Sequence, residues 1–215
     1  LKRRGVRSVS GLEIDARSPT GPIHLLGYGF DPQNEPLLDA LRTIRQPWRT
    51  SLRNWMVKTR SLRGQTPQPA GVCAPEEQGP QYRPPSTTEA ICLIHEAGGL
   101  VFLAHPLAGL GSVRRLEELI DRLQPLGLDG LEAFHKQYPP TTQGDLLALA
   151  ERRDLLTIAG SDFHGLHHSD GSSPGVDMPL VHWNRFADAL GVGEDETPPA
   201  LHQDQATTIR GHVGH

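Results

Sequence analysis

Short apolar runs alternate along the chain with stretches whose apolar residues recur at three and four, and the alternation marks out its elements. "GPIHLLGYGF" (21–30) is an apolar run bounded by proline and glycine signals, which predicts a buried strand. Over 34–62, Leu37, Leu41, Ile44, Trp48, Leu52 and Trp55 fall on one face of an amphipathic helix, which Pro47 kinks or splits. The next stretch, 64–86, holds six prolines and reads as a linker or surface loop. Beyond it the rhythm becomes regular. "STTEAICLIHEAGG" predicts a helix capped by Ser86 or Thr87 and stopped at Gly98-Gly99. "LVFLAH" (100–105) follows as a strand, "SVRRLEELIDRLQPLG" as a helix and "DGLEAFH" (129–135) as a strand. Then come a helix in "TTQGDLLALAERRD", a strand over 155–164, and a closing helix in "PLVHWNRFADALG" with Trp183 and Phe186 facing inward. The βαβαβ order implies parallel strands with crossover helices, an α/β fold.

Composition adds bounds. A chain of 215 residues, 36% hydrophobic and 21% charged, suits one sizeable folded domain. Its polar, Pro-containing end, 191–215, reads as a disordered tail. Cys73 and Cys92 are too few for a disulfide framework, no apolar run reaches the length of a membrane span, and the basic start lacks the apolar core of a signal peptide. A cytoplasmic protein is the simplest expectation. The net charge of −4 gives no overall attraction to nucleic acid, but seven basic residues and no acid lie between Arg42 and Arg63, a field able to hold a polyphosphate.

In parallel folds, function gathers at the carboxyl ends of the strands. His105 closes one predicted strand, Glu132 and His135 the next, Asp162 and His164 the last, and all are metal-ligand types. A mixed imidazole and carboxylate shell suits Zn, Mn or Fe better than Ca or Mg. Such a site activates water and offsets the charge of an anionic substrate, so metal-assisted hydrolysis of a phosphate ester is the implied reaction. The sequence has no Gly-rich phosphate loop, no GxSxG elbow and no CxxC pair. Nucleotide-fold, serine-hydrolase and zinc-ribbon readings therefore lack their main residues.

"GLEIDA", "IHLLGYGFD", "EAICLIHEAGGLVFLAHP", "GLDGLEAFH" and "AGSDFHG" resemble, in order, the later motifs of the polymerase and histidinol phosphatase (PHP) superfamily. The resemblance is strongest to its nucleoside 3′,5′-bisphosphate phosphatases and 5′→3′ exonucleases, and covers roughly residues 10–165. It implies a distorted (β/α)7 barrel with up to three divalent ions, usually manganese, iron or zinc, acting on phosphate ends of nucleotides or nucleic acid. By the same resemblance Glu13 bridges two metals, His24 and His105 are ligands, and Asp162 and His164 form the final pair. His135 is a candidate substrate contact, and no protein residue is assigned as catalytic beyond the water that the metal activates.

The departures carry expectations too. The family opens with "HxH", an Asp and a "DH" pair, which 1–215 does not supply, and the Pro-rich stretch stands where the family carries "GRPH". The first residue is Leu, which reads as a fragment. The expected fold is thus an incomplete barrel over 1–190 lacking its first strands, with a shortened helical insertion at about 32–86 and reduced activity. Glu132 matches no family ligand, and His167, His168 and Asp170 read as loop residues. Two other functions compete: an inactive remnant that binds nucleotide or a protein partner through 42–63, and a hydrolase of the amidohydrolase type, whose metal-bridging lysine has no suitable counterpart.

Overall fold

A computed structural model describes residues 8–44, 84–108, 110–163 and 175–192. Its elements run β1 (Gly11–Ser18), β2 (Gly21–Tyr28), α1 (35–44), α2 (Thr87–Glu96), β3 (Leu100–Leu103), α3 (Val113–Leu123), β4 (Gly130–His135), α4 (Pro140–Arg152), β5 (Leu156–Gly160) and α5 (Leu180–Ala189). The kink at Pro47, most of the basic segment, the Pro-rich stretch as far as residue 83, the run from His164 to 174 and the tail from 193 lie outside the described residues. No helix among the described residues is long and apolar enough to cross a membrane.

Local chemistry explains most boundaries. Ser86 caps α2 in a capping box: its hydroxyl accepts the Glu89 N–H while the Glu89 carboxylate accepts the Ser86 N–H at 2.7 Å. Gly98 ends that turn at φ +81, a conformation that costs glycine little. Pro125 turns the end of α3 into a short 3-10 segment, Gln124–Leu126, which Gly127 closes at φ +108.

The five strands form one sheet in the order β1-β2-β3-β4-β5. β3, β4 and β5 are parallel, as the βαβαβ rhythm predicts, whereas β1 and β2 form an antiparallel hairpin and β2 runs antiparallel to β3. The sheet is therefore mixed. Two antiparallel steps bring β1 parallel to β3, so the carboxyl ends of β1, β3, β4 and β5 share a rim.

Strand alternation sorts the sheet into two faces. Ile14, Ile23, Leu25, Val101, Leu103 and Leu131 face the larger core beneath α2, α3 and α4. On the opposite face the register aligns Leu26 with Phe102 and Phe102 with Gly130, and there Phe102, Ile158 and Phe186 of α5 form a second, smaller core. Trp183 packs on Phe186 with ring centroids 5.9 Å apart, as its helical spacing predicts. Gly130 leaves the space that the Phe102 ring fills. This second face carries apolar residues at one end and acids and histidines at the other.

Candidate metal centre

The polar end of that face is built by backbone register. Glu13 pairs with Leu26 and Asp15 with His24 across the hairpin, so all four side chains project to the same side. β3 ends at Leu103, and the Ala104 N–H donates to the His24 carbonyl, which holds the departing chain against β2. His105 then takes φ +26, an uncommon conformation for a non-glycine residue. Its N–H donates to Glu132 Oε2 at 2.7 Å, and its imidazole turns back over the hairpin.

Three donors converge there. His24 Nδ1 lies 2.7 Å from Glu13 Oε1, His105 Nε2 lies 3.1 Å from His24 Nδ1, and His105 Nε2 lies 3.6 Å from Glu13 Oε1. Tetrahedral ligands held about 2.1 Å from an ion stand about 3.4 Å apart, and this triangle brackets that spacing. Asp15 Oδ1 lies 3.2 Å from His24 Nε2, an acceptor for the Nε2–H when a cation takes the Nδ1 lone pair. Donor chemistry and spacing both fit a divalent ion of the Zn, Mn or Fe kind.

Electrostatics agree with the geometry. The contact with His105 holds the Glu13 carboxyl below its usual range, and the same contact lifts the His105 imidazole above its usual value. Burial pushes the Glu132 carboxyl up, opposed by the His105 N–H. Tyr28, at the apolar end, is pushed up to about 12 by burial, with the charges of Glu132 and Glu13 adding to it. It acts there as a neutral ring.

Asp162 differs from the sequence expectation in its local structure. Asp162 does not sit on a strand: β5 ends at Gly160, where its last partner is His135, and Asp162 takes φ +49. The strand alternation expected there therefore stops before it reaches Asp162. Asp162 still bears electrostatically on His105, Glu132 and His135, so it lies at the same rim, and His164 falls outside the described residues.

His135 gains its direction from a β-bulge. The register pairs Glu132 with Ile158 but Phe134 with Ala159 and His135 with Gly160, so one extra residue is absorbed between Glu132 and Phe134. Ile158 and Gly160 share a face, and so do their partners Glu132 and His135. His135 is only 2% exposed, its Nδ1 accepts the Gln137 N–H, and its Nε2 is buried with no partner among the described residues. Burial lowers its pKa. The result is a neutral imidazole with an unmatched Nε2–H beside the rim.

No family model matches the chain. A phosphoribosyl 1,2-cyclic phosphate 1,2-diphosphodiesterase from Eggerthella lenta is 36% identical over 77 residues, covering 36% of this chain and 28% of that protein. The 5′-3′ exoribonuclease Rnm of Escherichia coli is 35% identical over 86 residues, covering 39% of this chain and 29% of that protein. The matches thus span under a third of each relative's length. In structure, the chain resembles an amidohydrolase from Chromobacterium violaceum with a TM-score of 0.64 at 21% identity, over 87% of this chain and 78% of the other. A protein from Bifidobacterium adolescentis, assigned as a metal-dependent phosphoesterase, gives a TM-score of 0.57 at 23% identity over the same shares. At those identities the two structures establish the fold alone, and the name of the first brings no amidohydrolase chemistry with it. The sequence matches are thus local, and the structural likeness extends over most of the chain.

Proposed function

We propose that this chain carries the metal-binding part of a divalent-metal-dependent phosphoesterase acting on phosphate esters of nucleotides or of nucleic-acid ends. The observation that carries the reading is the convergence of Glu13 Oε1, His24 Nδ1 and His105 Nε2 within 4.8 Å of one another, two of them on the hairpin and the third just past the end of β3. We expect Asp162 to join them, with His164 as its companion. A cation held there supplies charge neutralisation for a phosphate ester and makes water more acidic. Asp15 holds the His24 tautomer, Glu132 holds His105, and the buried His135 Nε2–H is the donor we assign to a substrate oxygen. Manganese is the metal we expect, with zinc or iron as alternatives.

The wider architecture belongs to the same proposal: the five-stranded sheet is part of a distorted (β/α)7 barrel. Five of the family's nine or so ligands occur in 1–215, and these five by themselves are expected to hold one ion and to turn over slowly. The competing role rests on the basic 42–63 segment, which beyond residue 44 lies outside the described residues. The test is phosphate release by purified 1–215 from 3′-phosphoadenosine 5′-phosphate and from 5′-phosphorylated oligonucleotides, with and without manganese. A slow release that requires metal and disappears with chelator is expected. Equal rates with and without metal would overturn the assignment.

Proton competition gives the site a pH dependence. A cation needs the His105 lone pair, and His105 holds its proton above the usual 6.5 because of Glu13. Glu13, shifted downward, stays ionised through the same range. Metal affinity is therefore expected to fall as pH drops through the raised His105 value, by roughly tenfold per pH unit for one displaced proton. Calorimetric titration from about pH 8 to about pH 5.5 in buffers of different ionisation enthalpy should show that proton released on binding.

A further inference from the structure

The sequence motifs leave Glu132 without a role, and the geometry gives it one. Its side chain belongs to a residue 4% exposed, in the middle of β4, on the same sheet face as the three converging donors. A carboxylate in that position is costly unless something satisfies it. Oε2 accepts the His105 N–H at 2.7 Å. The other oxygen lies over the backbone of Gly160, where a methyl group would collide with it. Gly160 has no side chain to put there, and it takes no positive φ that would call for glycine on other grounds.

His105 needs such a hold. It is the first residue after β3 with a side chain in the site, and φ +26 is a conformation that persists only where the surroundings enforce it. The Ala104 N–H is fixed by the His24 carbonyl, and the next amide, that of His105, is fixed by Glu132. Together the two bonds set the backbone turn that brings His105 Nε2 within 3.1 Å of His24 Nδ1.

We propose that Glu132 is the positioning residue of the metal centre: it fixes the strained turn at His105 through the backbone N–H, and Gly160 is required to make room for its carboxylate. The proposal rests on the metal-centre reading for its functional consequence, but the positioning itself is visible without metal. An acceptor oxygen is what His105 requires, so Glu132→Gln keeps the hold while Glu132→Ala removes it, and Gly160→Ala displaces it while leaving Glu132 in the sequence.

The experiment has two arms. In metal-free protein, NMR follows the hydrogen exchange of the His105 amide and the nuclear Overhauser contact between the His24 and His105 rings. Both are expected to be retained in wild type and Glu132→Gln, and lost in Glu132→Ala and Gly160→Ala while the remaining amides of β3 and β4 stay protected. In the second arm, Mn2+ alone is titrated into the same four proteins. Affinity is expected to fall by about 10- to 100-fold in Glu132→Ala and Gly160→Ala and by less than about threefold in Glu132→Gln.

A folded Glu132→Ala that keeps the His105 amide protected, or binds Mn2+ like wild type, overturns the positioning role. Loss of affinity in Glu132→Gln equal to that in Glu132→Ala overturns it as well, by pointing to direct coordination through the charge. If wild type takes up no Mn2+ while the ring contact still depends on Glu132, the metal-centre reading fails and the positioning role stands.

Discussion

Replacement of His105 by alanine is expected to lower divalent-metal affinity by at least about 100-fold while leaving the fold intact. His105 Nε2 is the vertex that joins the end of β3 to the hairpin, and without it only two of the three converging donors, Glu13 and His24, remain. Two donors close together on a half-exposed surface bind an ion weakly, since the side chains of His24 and Glu13 are 41% and 36% exposed. The backbone N–H that Glu132 accepts survives the substitution, so the turn itself is preserved. Calorimetric titration with Mn2+ and Zn2+ checks the loss, and a thermal melt checks that folding is unchanged. The same substitution leaves the Glu13 carboxyl without the contact that holds its pKa down, so that pKa is expected to rise.

The second large effect is on stability. Phe102 is fully buried in the centre of β3, and its ring meets Tyr28 at 5.8 Å and Phe186 at 5.6 Å between centroids, both edge-on. Phe102→Ala removes the ring around which α5 packs on the sheet and leaves a cavity that the glycine at 130 cannot fill. The expected cost is about 3–5 kcal/mol. Against a typical domain stability of about 5–15 kcal/mol, that is a large share of the whole. Urea unfolding followed by far-ultraviolet circular dichroism measures it. A loss of under about 1 kcal/mol would mean that the second core is not formed as described.

Both predictions concern strand β3, yet the sequence exposed them unequally. The apolar run at 100–103 and the histidine at 105 were legible as a strand and a candidate ligand, because buried parallel strands are short, apolar and closed by polar residues. The helices were legible for the same reason: the spacing of Leu116, Leu119, Ile120 and Leu123 places one face of α3 in the core. Glu13 and His24 were different. Only the family resemblance brought them forward, since the pairing of Asp15 with His24 depends on a hairpin register that the residues between do not announce.

Other features had no readable signal. The bulge between Glu132 and Phe134 turns His135 onto the site face, and no glycine or proline marks it in "GLEAFH". The positive φ of His105 is likewise invisible, because histidine is not the residue that such a conformation selects. Without that angle the role of Glu132 cannot be inferred, since a buried glutamate beside histidines reads equally well as a ligand. Asp162 shows the opposite failure: strand alternation was extended past Gly160, where the ladder has ended.

The central claim is that Glu13, His24 and His105 hold a divalent ion together. Crystals of 1–215 grown with Mn2+ and measured at the manganese absorption edge test it most directly. The account predicts one anomalous peak within coordination distance, about 2.2 Å, of Glu13 Oε1, His24 Nδ1 and His105 Nε2. No peak at saturating Mn2+, or a peak only at the His167-His168 run, would contradict it.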